Sequence, residues 1–147
     1  MDRPLSDWYL IVLLALVTWR EARSEGVDGM RAVMHVIRNR HLIWKQDWDA
    51  VIAGRNQFSS MAAKGDSQLV LWPDDDAPGF KVILGLSVRI FDGLDADNTL
   101  GSLYYWNPET ATSPWFVDNV AKVMPRVAVI GSHEFFRPGA AQPPVSG

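Results

Sequence analysis

Two glutamates four residues apart, Glu21 and Glu25, follow directly behind an apolar stretch of the sequence. The apolar positions before them have the spacing of one helix face: Leu10, Leu13, Leu14 and Val17. Glu21 is the next position on that face, and Glu25 lies one turn further. A carboxyl group that continues an apolar face is either withdrawn from water or paired, and withdrawal raises a carboxyl pKa toward the range that a general acid requires. Glu21 is therefore a candidate general acid, with an ordinary ion-paired helix end as the alternative.

Other kinds of catalytic site find little support in the residues. His35 and His41 are six residues apart without an H-E-x-x-H motif, so a zinc peptidase is not indicated. The chain has no cysteine and no G-x-S-x-G nucleophile elbow. The three aspartates at 74–76 do not form a recognised calcium loop, and a solvated loop is the favoured interpretation. We expect no metal and no cofactor.

The composition indicates one soluble domain with no preference for nucleic acid. The chain has 147 residues, 48% of them hydrophobic, and a formal net charge of −3 without a block of basic residues. Its seven tryptophans are many for this length and suit an enzyme that grips sugar rings. The apolar run 8–19 is shorter than the about 20 residues that span a bilayer, so we expect a buried helix and no membrane anchor. An uncleaved export or membrane-tethering segment is the alternative.

The hydrophobic pattern predicts an α+β fold, mainly helical, with a small antiparallel sheet in the second half of the chain. A strand is expected at 103–108, and two more are expected within 126–136 around a Gly131-Ser132 hairpin turn. Residues 56–78 are expected to form a long loop. A domain over 1–138 would then end in a disordered tail over 139–147, which is rich in proline, glycine and serine. Helices are expected at 6–24, 28–41, 47–52, 79–94 and 115–124.

Four segments, in order, resemble the SleB-type cell wall hydrolases, the family of spore cortex-lytic enzymes and related phage lysins. They are "EARSEGVDGMRAVMHVIRNR" (21–40), "QFS" (57–59), "GSLYYWNP" (101–108) and "IGSHEFF" (130–136). The resemblance implies a lysozyme-like fold and lytic transglycosylation of peptidoglycan between N-acetylmuramic acid and N-acetylglucosamine. It implies that Glu21 is the catalytic glutamate. Arg20 and Ser24 stand where the family pattern has glycine, so the fit of substrate around Glu21 could differ.

The resemblance also suggests substrate-binding residues. Gln57 and Ser59 could hydrogen-bond an N-acetyl group or position the sugar. Tyr104 and Trp106 share one face of their strand, and Tyr104 is favoured as a residue that lines the cleft. The remaining candidates are Glu25 and His133, although a lone histidine is more often structural.

Two alternatives remain open. A hydrolysing muramidase would need a second carboxyl group about 5 to 9.5 Å from the first, for which Glu25 or the aspartates at 74–76 are available. A catalytically silent peptidoglycan-binding domain is the other. The favoured interpretation is a monomeric, phage-type endolysin that binds peptidoglycan glycan strands. It would be made in the cytoplasm without a clear signal peptide and would act on the wall from the host periplasm.

Overall fold

The structure is a computed structural model that describes residues 3–53, 78–110 and 113–139. The first two of these ranges contain four helices, α1 (Leu5–Ala22), α2 (Gly26–Trp44), α3 (Trp48–Ala53) and α4 (Pro78–Phe91). The last part contains the short helix α5 (Pro114–Phe116) and a π-helical segment (Val117–Ala121). The strands are β1 (Tyr104–Trp106), β2 (Arg126–Ile130) and β3 (His133–Phe136). The predicted α+β fold, mainly helical with a small antiparallel sheet, is confirmed.

Helices α1, α2 and α4 enclose the main core. Ser87 of α4 donates a hydrogen bond to the Ile11 carbonyl of α1 at 2.7 Å, and Arg3 pairs with Asp92 beyond the far end of α4. These contacts make α1 and α4 antiparallel neighbours. The apolar face of α1 that the sequence predicts lies against this core, with Leu14 and Val17 fully buried. Its partners across the core include Val33, Met34, Ile37, Ile83 and Ile90.

The corner between α1 and α2 differs slightly from the prediction. The sequence predicts that α2 begins at Asp28, but α2 begins at Gly26, which has a φ of +79° that glycine adopts without strain. The Asp28 side chain pairs with Arg31 at 3.1 Å instead of capping the helix. The corner is therefore tight, with only three residues between the two helices.

Strand β3 is the centre of the three-stranded antiparallel sheet, with β1 on one side and β2 on the other. Tyr105 is opposite Phe135, and both rings pack toward Ala32 and Val36 of α2. The other face of the sheet is covered by the segment after residue 113, which contributes Phe116, Val120 and Met124. Both faces of the sheet are thus covered at β1 and β3, whereas β2 is partly exposed. Gly131 at a φ of +59° closes the predicted hairpin between β2 and β3.

Hydrogen bonds from the loop over 92–103 connect β1 to α2. Asp95 accepts a hydrogen bond from His35 at 2.7 Å, and Asp97 accepts one from Asn39 at 2.9 Å. Arg40 donates to the Leu103 carbonyl at 2.7 Å, directly before β1. These contacts along one face of α2 fix the position of β1 relative to the helical core.

The apolar run 8–19 lies within α1, partly in the core and partly at the surface, where Trp8 and Tyr9 are exposed. Among the described helices, none combines the length and apolarity needed to cross a membrane. The predicted loop over 56–78, apart from Pro78, and the predicted tail from residue 140 onward fall outside the described residues.

Candidate active site

Glu21 lies in the last turn of α1 and interacts electrostatically with Tyr105 of β1 and His133 of β3. Its side chain is half-buried. It is close enough to two aromatic residues to affect their ionisation. Burial raises the pKa of Tyr105, and the Glu21 charge raises that pKa further. Burial lowers the pKa of His133, whereas the charges of Glu25 and Glu21 oppose that shift. The sequence-predicted acid is therefore grouped with a tyrosine and a histidine from the sheet.

Glu25 links the α1–α2 corner to the β2–β3 hairpin. Its Oε1 accepts a hydrogen bond from the Ser132 hydroxyl and lies 3.0 Å from Nδ1 of His133. The Glu25 side chain is only 15% exposed. Its carboxylate is therefore held by the hairpin rather than directed into open solvent.

Gly29 makes room for the Glu25 side chain at the α1–α2 corner. A Cβ atom on Gly29 would lie 2.5 Å from Cβ of Glu25, which is closer than two carbon atoms can approach. Gly131, in the hairpin turn, places its backbone against the Glu25 carboxyl group, since an added Cβ would be 3.5 Å from Oε2. The position of Glu25 therefore depends on the close approach of the backbone at Gly29, and the hairpin packs against its other side.

His133 is held by contacts with two elements. The residue is 9% exposed, and its ring is perpendicular to the Tyr105 ring, with the ring centroids 5.1 Å apart. Nδ1 is at ion-pair distance from Glu25 but without the alignment of a hydrogen bond. Because burial lowers the pKa of His133, the ring is neutral at pH 7. We call Glu21, Glu25, Tyr105, Ser132 and His133 the carboxylate–histidine cluster.

The structure does not place Tyr104, which the sequence predicts to line the cleft, at an open surface. Tyr104 is 2% exposed, and its ring packs near Trp44 and Phe116 with the Arg40 guanidinium 5.4 Å from the ring centre. The face of β1 that carries Tyr104 is covered by the segment after residue 113. Tyr105, on the opposite face, is the residue that belongs to the cluster. The alternation of side chains along β1 could have indicated either tyrosine.

Trp106 is on the same face as Tyr104 and is also not brought to Glu21. Its ring stacks on Phe116, with centroids 4.7 Å apart, and its indole nitrogen donates to Glu134 at 2.9 Å. A role for Trp106 in binding sugar stays a prediction. Gln57 and Ser59 lie outside the described residues. Within the described ranges, no group of three or more acidic or histidine side chains is arranged to hold a metal ion.

Ser132 was not among the sequence-predicted site residues. It occupies the second position of the hairpin turn, where a serine is ordinarily a turn residue, and nothing in its local sequence indicates a contact with Glu25, 107 residues earlier. Of the predicted residues, the structure therefore brings together Glu21, Glu25 and His133, and it adds Tyr105 and Ser132.

Comparison with known proteins gives the chain its family. The sequence pattern described as Cell Wall Hydrolase matches residues 24–136, which begins just after Glu21. The spore cortex-lytic enzyme of Oceanobacillus iheyensis is 32% identical over 128 residues, which cover 85% of this chain and 40% of that protein. The spore cortex-lytic enzyme of Bacillus subtilis is 31% identical over 128 residues, covering 85% of this chain and 36% of that protein. The chain thus spans less than half the length of these relatives.

Two solved structures share the fold over nearly their whole length. The catalytic domain of the Bacillus cereus SleB protein is 28% identical with a TM-score of 0.67, covering 93% of this chain and 94% of that one. The catalytic domain of the germination-specific lytic transglycosylase SleB from Bacillus anthracis is 28% identical with a TM-score of 0.68, covering 92% of this chain and 98% of that one. These matches agree with the resemblance found in the four sequence segments, and the chain belongs to the cell wall hydrolase family.

Proposed function

We propose that this chain is a peptidoglycan lytic transglycosylase that cleaves the β-1,4 bond between N-acetylmuramic acid and N-acetylglucosamine, with Glu21 as its acid and base. The observation that carries the proposal is the position of Glu21. It is half-buried at the end of an apolar helix face, within electrostatic reach of Tyr105 and His133. The likeness to a solved lytic transglycosylase domain over 92% of the chain supports the reaction type.

The reaction needs one carboxyl group. Protonated Glu21 donates its proton to the glycosidic oxygen as the bond from that oxygen to C1 of muramic acid breaks. The C6 hydroxyl oxygen of the same muramic acid then attacks C1, and the Glu21 carboxylate removes the hydroxyl proton. The products are a glycan ending in a 1,6-anhydro sugar and one with a free N-acetylglucosamine 4-hydroxyl. Glu21 is returned to its protonated form, and no water is consumed.

The contacts of Glu25 favour this reaction over hydrolysis. A hydrolysing muramidase would need a second carboxylate as nucleophile or as the base that activates water. Glu25 is the nearest candidate in sequence, but its Oε1 is engaged by Ser132 and by the edge of His133. Because its carboxylate is already occupied within the protein, we assign Glu25 a supporting role rather than a second catalytic one.

The test is Glu21→Gln, assayed on purified peptidoglycan with mass spectrometry of the released muropeptides. We expect activity to fall by about 10²- to 10⁴-fold, the usual contribution of a general acid–base residue. Glu109→Gln is the matched control, since Glu109 is an exposed turn residue and should keep full activity. Full activity of Glu21→Gln would rule out the single-acid mechanism.

The products separate the alternatives. Anhydro ends support transglycosylation, and reducing ends would instead identify a hydrolysing muramidase. If the unaltered protein bound peptidoglycan but released no muropeptides, it would be a silent binding domain.

The setting of the activity stays a prediction. The relatives named above are spore cortex-lytic enzymes, whereas the sequence favoured a monomeric phage-type endolysin that acts from the host periplasm. A cell wall substrate is common to both settings.

A further inference from the structure

Glu25, His133 and Ser132 form a unit that the proposed reaction does not itself require. We propose that Glu25 is a positioning residue that fixes the orientation and tautomer of the His133 ring beside Glu21, and that Ser132 holds the Glu25 carboxylate in place for this purpose. This inference rests on the proposed function, because it concerns how the surroundings of Glu21 are kept constant during that reaction.

The geometry sets which nitrogen of His133 carries the proton. A carboxylate accepts hydrogen bonds and repels a nitrogen lone pair, so the Glu25 charge favours the N–H on the ring nitrogen nearest to it. That nitrogen is Nδ1, 3.0 Å from Oε1, and among the described residues it has no hydrogen-bond partner of its own. With the proton on Nδ1, Nε2 is left with a lone pair. The polar group that meets Nε2 must then be a donor, such as a sugar hydroxyl or a water molecule.

Three groups face the His133 ring and restrict it. Glu25 lies at its Nδ1 edge, and the Tyr105 ring from β1 meets it edge to face. Glu21 from α1 is near enough to influence its charge. A ring that flipped would place a C–H group where Nε2 had presented its lone pair. Glu21 must act first as an acid and then as a base. A His133 ring that keeps one orientation presents the same hydrogen-bonding group near Glu21 in both steps.

Ser132 completes the arrangement from the hairpin. Its hydroxyl donates to the same Oε1 atom that lies 3.0 Å from Nδ1 of His133, the next residue along the chain. This hydrogen bond restricts the rotation of the Glu25 carboxylate. The position of His133 is therefore set by the turn, by way of Glu25.

Histidine tautomers can be measured directly by two-bond ¹H–¹⁵N correlation NMR on the full chain. The chain has three histidines, and the spectrum of His133→Asn identifies the signals of His133. We expect the Nδ1–H tautomer in the unaltered protein. In Glu25→Gln we expect a mixture of tautomers, because a side-chain amide can either accept from or donate to the ring. A predominant Nε2–H tautomer in the unaltered protein would overturn the proposal.

Ser132 supplies a second pair of variants with a milder change. Ser132→Ala removes the donor and should broaden or mix the His133 signals, whereas Ser132→Asn keeps a donor and should restore the single tautomer. These variants keep the proposal testable if Glu25→Gln fails to fold. Identical spectra for Ser132→Ala and the unaltered protein would contradict the role of Ser132.

Kinetics on soluble glycan fragments distinguish positioning from a structural role. Misplacing a group near the reacting atoms costs about 10²-fold in rate, so Glu25→Gln should lower kcat by about that factor with little change in KM. The Glu25 charge raises the pKa of His133, so its removal should move the acid limb of the pH profile to lower pH. An unchanged kcat and pH profile would overturn the inference. Glu21→Gln tests the reaction itself, so the two failures can be told apart.

Discussion

Replacing Gly29 with alanine should destabilise the protein, although the same change usually stabilises a helix. In a helix interior, alanine is favoured over glycine by about 0.5 to 1 kcal/mol. At this position, however, the added Cβ would lie 2.5 Å from Cβ of Glu25, whereas non-bonded carbons prefer about 3.5 to 4.0 Å. The two atoms must therefore separate by about 1 Å. Both are bonded directly to the backbone, so the corner between α1 and α2 has to move.

Gly85 provides the matched control. It lies in the interior of α4, is exposed, and an added Cβ there would have no atom within 4 Å. Gly85→Ala should therefore raise the free energy of unfolding by about 0.5 to 1 kcal/mol. The forced contact at Gly29 should cost about 1 to 3 kcal/mol, as other over-packed positions do. The difference between the two variants isolates that cost. It corresponds to a separation of about 2 to 12 °C in Tm for a domain of this size.

The measurement is urea unfolding followed by tryptophan fluorescence, which the seven tryptophans make sensitive. Muropeptide release should also fall in Gly29→Ala, because Glu25 is displaced from Ser132 and His133, but not in Gly85→Ala. If Gly29→Ala were as stable and as active as Gly85→Ala, the close approach of Gly29 to Glu25 would be refuted.

Two further predictions concern buried polar groups away from the cluster. Four donors meet the Asp97 carboxylate: the backbone and hydroxyl of Thr99, the backbone of Gly101 and the amide of Asn39. Burial raises the pKa of Asp97, but these bonds outweigh burial and hold the pKa below its usual value. The stability they supply is present above about pH 4 and is lost as the pH falls through the folded pKa. Because Asp97 is only half-buried, Asp97→Asn should cost about 1 to 2 kcal/mol and flatten that acid dependence, as measured by urea unfolding near neutral and acidic pH. Ser87→Ala, which removes a buried hydrogen bond to Ile11, should cost about 1 kcal/mol in the same assay, with exposed Ser24→Ala as its control.

The elements that depend on local pattern could be predicted from the sequence. The apolar stripe of α1 and its continuation to Glu21 follow from helical spacing alone, and the Gly131-Ser132 turn follows from the residues that hairpins favour. The sequence predicts the start of α2 two residues too late, because Asp28 has the side chain of a good capping residue. In the structure Asp28 pairs with Arg31 instead. Such competition between local partners cannot be read from propensity.

The composition of the site depended on contacts between distant parts of the chain. Whether Tyr104 or Tyr105 faces Glu21 is decided by which face of β1 the segment after residue 113 covers, and nothing in "LYYWNP" specifies that. The contact of Glu25 with Ser132 joins residues 107 apart, beyond the reach of any spacing rule. The sequence predicts Glu25 and His133 as candidate substrate-binding residues, whereas only the fold shows that their side chains are in contact.

The described core is divided into separate apolar clusters, and this division has a consequence for inactivation. One cluster lies among the helices and another lies between the sheet and the segment after residue 113, with Ala32, Val36 and Phe135 between them. Glu21 and Glu25 belong to the helical side, and Ser132 and His133 belong to the sheet side. Loosening that junction by a fraction of an ångström would separate the two halves of the site while each cluster stayed packed. The proposed activity therefore depends on this junction, and a sample in which only the junction is loosened would be folded and inactive.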